Sequence, residues 1–537
     1  MLIKPIKVRR LLLMTLLSVT LLPATSYSSA ENQSPGGAPA VTDVVYEVAP
    51  ESEVVLREVS KAVKVSTSAQ LEKAIAQATP GTTIELADGT YKGSKALQIN
   101  GKHGTSTSPI TIKAANRGRA IIAGADVLHI VRSSYIVVEG LKITNTGTSD
   151  RSVAFQLDGS NHIRLTRNMF AVPATGNKTI WLEIKGENSS DNQIDRNDFN
   201  GKSDPGPVIA FSGFIKESNK EPIKQVSQRD VIEYNHFRNV TFSEANGNET
   251  IRLGISKISL SKGENKVQYN LFENCDGDLE VVSVKSSDNE VRYNTFINNR
   301  GGLTSRHGHN NKFYGNFFFG DGVKEKVMGI RVYGNDHKIY NNYMEGITGD
   351  AIFLDSGRYD GGTDGKPKDP TDEDLSSQWR VYRATVVNNT IVNSKAGITV
   401  GSTNTTKKYA PTGSWVANNI VANKTGVLYH EPSSTDTVFK GNIGFGSTLN
   451  NASRGPSEIV DINPDFTISE GLHRLSAKSP AINKAVSDSQ LEKRVNVVDD
   501  MDGQLRSKTD VGADEFSNAA SSRKPLKATD VGPNAPE

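Results

Sequence analysis

Two carboxylates and three cations stand at intervals suited to chemistry on an anion. In the stretch Asp276-Gly277-Asp278-Leu279-Glu280-Val281-Val282-Ser283-Val284-Lys285, Asp278 and Glu280 alternate, so on a strand both would point to one face. Ser305-Arg306-His307-Gly308 follows one repeat later, and Arg331 one repeat after that. Counted to a recurring Asn, Lys285 lies 9 residues before Asn294, Arg306 10 before Asn316 and Arg331 11 before Asn342. This spacing predicts three cations at nearly the same place on successive strands, about 4.8 Å apart. Like charges facing one another on a sheet repel. Either the face is solvated and screened, or a polyanion sits on it.

Asp278 and Glu280, with an amide from the Asn246–Asn248 region, offer hard oxygen donors for calcium. The same acids could instead balance the neighbouring cations. A glycosidase pair is a third reading, which the Lys/Arg ladder fits less well. His307 reads equally as a substrate contact or a structural histidine. The run Asp360-Gly361-Gly362-Thr363-Asp364-Gly365 imitates a calcium loop, but Thr371 stands where its twelfth position needs Glu, so an exposed acidic loop is expected. Cys275, flanked by strand-like residues, reads as buried. No zinc-protease, phosphate-loop or Gly-x-Ser-x-Gly pattern occurs.

The elements that must carry these groups show as a recurring phrase: aliphatic residue, two variable positions, Asn, one residue, apolar residue. It appears at Ile194…Asn197-Asp198-Phe199, Ile232…Asn235-His236-Phe237, Val267…Asn270-Leu271-Phe272, Val291…Asn294-Thr295-Phe296, Phe313…Asn316-Phe317-Phe318, Ile339…Asn342-Tyr343-Met344, Val386…Asn389-Thr390-Ile391 and Val416…Asn419-Ile420-Val421. Asn270, Asn294, Asn316 and Asn342 are 24, 22 and 26 residues apart. A strand-turn unit of this length cannot bury its own apolar face, whereas stacked units bury a continuous core. The expected fold is all-β, a parallel β-helix. Its Asn residues are expected to bond from coil to coil and to accept left-handed turns. The one amphipathic helix, 66–78, is expected to cap the N-terminal end.

The 537 residues include 62 Lys and Arg, 60 Asp and Glu and one Cys, which excludes an internal disulfide and a Cys-based zinc site. A net charge of +2 argues against a nucleic-acid partner. Lys4, Lys7, Arg9 and Arg10 precede the apolar run Leu11–Leu22 and the small residues Ser28-Ser29-Ala30, the pattern of a signal peptide over 1–30. Without it the charge is 2 − 4 = −2. No later apolar stretch is long enough to span a membrane. The expectation is an exported protein, periplasmic or secreted, with a leader over 31–62, a β-helix over 63–517 and a polar tail over 518–537. A closed β-helix has little need of a partner, so a monomer is expected.

The strings Asn246-Gly247-Asn248-Glu249-Thr250-Ile251-Arg252-Leu253-Gly254, Glu280-Val281-Val282-Ser283-Val284-Lys285-Ser286 and Arg306-His307-Gly308 resemble polysaccharide lyase family six. That family holds alginate lyases and chondroitinase B, the dermatan sulfate lyase. The opening Ser66–Tyr91 and the closing Ser479-Pro480-Ala481-Ile482 through Asp510-Val511-Gly512-Ala513-Asp514-Glu515-Phe516 look similar too, so the resemblance spans about 64–517.

The resemblance implies a right-handed parallel β-helix that uses Ca²⁺. It implies Lys285 as base, Arg306 as acid or leaving-group partner, and Asn246, Asp278 and Glu280 as metal ligands. His307 and Arg331 would bind neighbouring sugar acids. Asp278 departs from the family's usual Glu, and Asn248 competes with Asn246 for the amide position. The implied reaction removes the C5 proton of a 4-linked uronate and expels the oxygen at C4. Lys285 takes that proton only as a neutral amine, a form that nearby cations favour. The wording around Lys285 and Arg306 is nearer the alginate members. Dermatan sulfate would need further cations such as Arg252 or Lys262. A C5-epimerase or a non-catalytic carbohydrate binder would share the fold; the binder would not need Asp278, Glu280, Lys285 and Arg306 together.

Overall fold

The computed structural model describes residues 61–537 apart from 94, 125–126, 146–150, 175, 219–221 and 242–245. The expected signal peptide, and the expected leader up to residue 60, lie outside the described residues.

Each coil lays down short strands that pair in parallel with their equivalents one coil on, giving three 14-stranded sheets. Parallel strands joined by crossovers within one sheet wind right-handedly, and the result is a right-handed parallel β-helix. The interior is one cluster of Val, Ile, Leu and Phe running from Val65 to Ile459. The helix Ser68–Gln77 buries Leu71, Ala74 and Ile75, and the Thr67 hydroxyl accepts from the Gln70 N–H at 3.2 Å. It packs on the strands Lys61–Val65, Thr82–Leu86 and Leu97–Asn100, and so covers the first coil as expected. Among the described residues no helix is long and apolar enough to cross a membrane.

The recurring Asn forms a buried column that ties coil to coil. The main-chain N–H and side-chain amide of Asn270 both donate to Asn294 Oδ1 at 3.0 Å, and the same amide reaches back to Ile232 O at 2.8 Å. Asn294 repeats this toward Asn316, and Asn316 toward Asn342. Every link satisfies buried donors that would otherwise cost about 1–3 kcal/mol each. The left-handed backbone falls one residue earlier than expected, on Arg196, Tyr234, Tyr269, Tyr293, Gly315 and Asn341. The turn bends at that residue, which leaves the Asn side chain pointing inward to make its ladder.

Two residues after the first five of these Asn, the rings of Phe199, Phe237, Phe272, Phe296 and Phe318 stack at 4.6–4.9 Å, the spacing of the coils themselves.

The polar segment 518–537 runs back along the helix. The Leu526 N–H donates to Thr295 Oγ1 at 2.8 Å, and Arg167 Nη1 donates to Pro533 O and Ala535 O at 2.7 and 2.9 Å. Leu526 and Val531 pack on Leu271.

Candidate active site

Strands Glu280–Lys285, Gly301–His307 and Val327–Val332 lie side by side in one sheet. Their register aligns Ser283 with Thr304 and Arg331, and Val284 with Ser305 and Val332, but Lys285 with His307. The predicted column of three cations is therefore absent. A bulge after Val284 makes Arg306 the extra residue, and a bulge re-aims the side chain it carries. Lys285 faces His307, whereas Arg331 stands two places back. The strand ends at Gly308 (φ +84°), where a Cβ would meet Ser286 O at 2.2 Å, so the turn after Arg306-His307 requires glycine.

The cations converge on Glu280. Arg331 Nη2 donates to Glu280 Oε1 at 2.9 Å, Arg306 Nε lies 3.8 Å from the same oxygen, and Ser283 Oγ donates to Oε2 at 2.6 Å. Burial opposes the charge of this carboxyl, but Arg331, Arg306 and Lys285 outweigh it and hold the group below its ordinary range. Lys285 Nζ donates to Glu249 Oε1 at 2.9 Å, and Arg252 Nη1 lies 3.9 Å from Glu249 Oε2. Glu249 is buried, and among the described residues its Oε2 has no hydrogen-bond partner.

His307 is buried, and its Nδ1 lies 3.1 Å from the carbonyl of Ser377. A carbonyl only accepts, so Nδ1 carries the hydrogen and Nε2 keeps a lone pair. Ser377 follows the short helix Asp372–Ser376, and Asp372 binds both Lys224 and Lys257 at 2.9 Å. Burial, reinforced by Arg306 and Lys285, pushes His307 down to about 3, so it is neutral at physiological pH. The unfolded chain protonates this histidine below about pH 6.5 while the folded one does not, so its stabilising contribution is lost as pH falls from 6.5 toward 3. The stability gap between wild type and His307→Gln is expected to shift toward the variant by up to about 1.4 kcal/mol per pH unit over that range. Denaturant unfolding of both proteins at pH 7 and pH 5 reads it, and a constant gap would contradict a neutral His307.

Sequence reasoning missed a cluster beside Arg306. The ring of Tyr333 is buried, with the guanidiniums of Arg306 and Arg331 at 5.9 and 5.7 Å from its centre. Its hydroxyl donates to Asp355 and accepts from Lys407 Nζ at 2.9 Å, and Lys407 also pairs with Asp355. Tyr333 lies two residues after Arg331, just past the end of that strand, so its place in the repeat could have marked it. Lys407 sits in a non-repeating loop, where no periodic signal exists.

The donor chemistry around Asp278 suits a hard cation. Asp278 accepts from the N–H groups of Gly247 and Glu280, both at 3.1 Å, and among the described residues it has no cationic partner. Burial raises its carboxyl, and the nearby charges of Glu249 and Glu280 raise it further. Glu249 and Glu280 have cations of their own, in Lys285 and Arg331, and among the described residues Asp278 is the acid of the three without one. The Gly247 contact brings exposed Asn246 next to Asp278, while Asn248 Oδ1 already accepts from the Gly206 N–H at 2.8 Å. Elsewhere, Asp500, Asp502 and Asp514 place ligand atoms within 4.8 Å of one another, but Arg474 binds Asp502 and Asp514, and main-chain N–H groups bind Asp500. Those acids belong to the closing turns. The acidic loop holding Asp360 and Asp364 is likewise spent on Arg380 and Arg383. Cys275 is buried, and burial pushes its thiol up to about 12.

Comparison with curated proteins gives no match. Among solved structures, a mutant form of the family six alginate lyase AlyGC superposes with a TM-score of 0.66 at 24% identity, covering 81% of this chain and 58% of that one. This chain thus spans little more than half the length of AlyGC. A mannuronic acid specific family six lyase from human gut microbiota gives a TM-score of 0.61 at 24% identity, covering 75% of this chain and 92% of that one. A family six polysaccharide lyase from Pseudopedobacter saltans gives 0.59 at 24% identity, covering 75% and 94%. These likenesses establish the parallel β-helix. The chondroitinase B family profile matches residues 65–460, a stretch that begins just before the capping helix and takes in Glu249, Glu280, Lys285, Arg306 and Arg331. The chain belongs to the chondroitinase B family of polysaccharide lyases, polysaccharide lyase family six.

Proposed function

We propose that the protein cleaves alginate by calcium-assisted β-elimination, leaving an unsaturated uronate end. The observation that carries this reading is the convergence of Lys285, Arg306 and Arg331 around buried Glu280, beside a neutral His307. A uronate polymer is the anion such a face suits, and the similar structures named as alginate lyases favour alginate over dermatan sulfate.

Glu249 holds Lys285 Nζ in place by one hydrogen bond. In its amine form Lys285 takes the C5 proton. Arg306 cannot be deprotonated in a protein, so it stabilises charge growing on the sugar carboxylate and on the departing O4, and the proton that O4 needs arrives through water. Arg331 anchors a neighbouring carboxylate, and His307 Nε2 accepts from a sugar hydroxyl. Asp278, Glu280 and Asn246 would hold calcium, which when bound supplies positive charge against the substrate carboxylate. With an export signal over 1–30, the enzyme would meet its polymer in the periplasm or outside the cell.

Ultraviolet absorbance of unsaturated product tests this, with alginate and dermatan sulfate run in parallel, each with and without a chelator. A chelator-sensitive rise on alginate is expected. A rise on dermatan sulfate alone would move the substrate and keep the chemistry. No rise on either from folded protein would overturn the reading and favour an epimerase or a binder.

A further inference from the structure

The outward-facing row that contains Arg331 continues into the later coils. Register sets Arg331 beside Phe353, Phe353 beside Thr399 and Thr399 beside His430. Phe353 lies between buried Ile352 and Leu354 and is itself partly exposed. Alternation therefore puts its ring on the outer face, one strand spacing of about 4.8 Å beyond Arg331.

The loop 401–414 returns to the same place. Tyr409 and Gly357 exchange main-chain hydrogen bonds at 2.8 and 3.1 Å, which pins the loop against the barrel. Lys407 from this loop sets Nζ 5.3 Å from the centre of the Tyr333 ring, the ring that also lies against Arg306 and Arg331. Buried Asp355 and the Tyr333 hydroxyl engage two of the three donors of its ammonium. One donor remains on a charge that is already fixed in position, so little side-chain entropy is lost when it binds.

A sugar acid has an apolar ring face and an anionic edge. A partly exposed phenylalanine, with an arginine on the neighbouring strand and a lysine held at Asp355 two residues further on, matches both. We infer that Phe353 and Lys407 form a further binding position for a uronate unit, on the C-terminal side of the Lys285–Arg306 pair and next to the place that Arg331 anchors. This inference rests on the uronate-lyase reading and extends it to chain length: polymers and long oligosaccharides would be held by a position that short ones do not fill.

Kinetics on alginate oligosaccharides of increasing length test it, together with calorimetric binding of the same series to catalytically silent Lys285→Ala protein with and without Phe353→Ala. Wild-type kcat/KM is expected to climb with length, and Phe353→Ala to lose about ten-fold of that climb, the size expected when one aromatic platform is removed. Phe353→Tyr, which keeps the ring and checks folding, is expected to restore it. A Phe353→Ala protein with the wild-type length profile in both measurements would overturn the subsite while the lyase reading stands. A wild type that neither cleaves nor binds any uronate polymer would overturn both.

Discussion

Lys285→Ala is expected to lower turnover of alginate by about 10²–10⁴-fold, the usual contribution of a positioned general base. Lys285 Nζ is held by a single carboxylate, at 2.9 Å from Glu249, and the residue faces His307 across the register. The alanine variant also leaves buried Glu249 with only the more distant Arg252, at 3.9 Å, so loss of activity alone would not separate chemistry from folding. Lys285→Arg does separate them. The guanidinium keeps a positive charge for Glu249 but cannot act as a base. Near-zero turnover in both variants, with near-wild-type unfolding for Lys285→Arg, is the expected pair of results. Substantial turnover by Lys285→Arg in the product absorbance assay would remove Lys285 from the role of base and direct attention to the His307 lone pair.

Glu280→Ala is expected to have the largest effect on stability. Glu280 accepts from Arg331 at 2.9 Å and from Ser283 at 2.6 Å, and Arg306 stands 3.8 Å away. Removing one partner of a buried pair strands the other charge, at a cost of about 3–5 kcal/mol. Arg331 would be that stranded charge, and its drift would loosen the place prepared for the neighbouring sugar acid. Glu280→Gln keeps the shape and the bond from Ser283, so a smaller loss of stability is expected. Both variants are expected to retain less calcium than wild type by metal analysis. Unchanged calcium content in folded Glu280→Gln would take Glu280 out of the ligand set and leave it as the hub that orients Arg306 and Arg331. Unchanged stability in Glu280→Ala would contradict the ion-pair geometry itself.

The two readings of Asp278 and Glu280 raised by the sequence, calcium ligand and counter-charge, bear differently on the two residues. Glu280 balances cations directly, through Arg331 and Arg306. Among the described residues Asp278 has only main-chain N–H partners, and the charges of Glu249 and Glu280 act on it, the condition in which a hard cation stabilises most. Spacing alone could not divide them, because both residues satisfy the same alternation along one strand.

The sequence by itself determined the coil. Asn at one place per repeat and an apolar residue two positions later are local choices made again in every turn. Each repeats its contact with the next copy: Asn270 on Asn294, Asn294 on Asn316, Phe272 on Phe296. A pattern whose contacts are between equivalent residues is visible without knowing the fold. The charged residues of the site were legible for the same reason, since they ride on the same repeats. What only the tertiary structure decided is how those charges pair. The bulge after Val284 turns a predicted column of Lys285, Arg306 and Arg331 into a cluster, and one extra residue in a strand leaves no mark in a period that already varies by a few residues. Glu249 reaches Lys285 across 36 positions, and Lys407 reaches Asp355 across 52, from segments inserted between coils. Such inserts have no repeat to read, and their partners are set by where the stacked coils hold the loop ends in space.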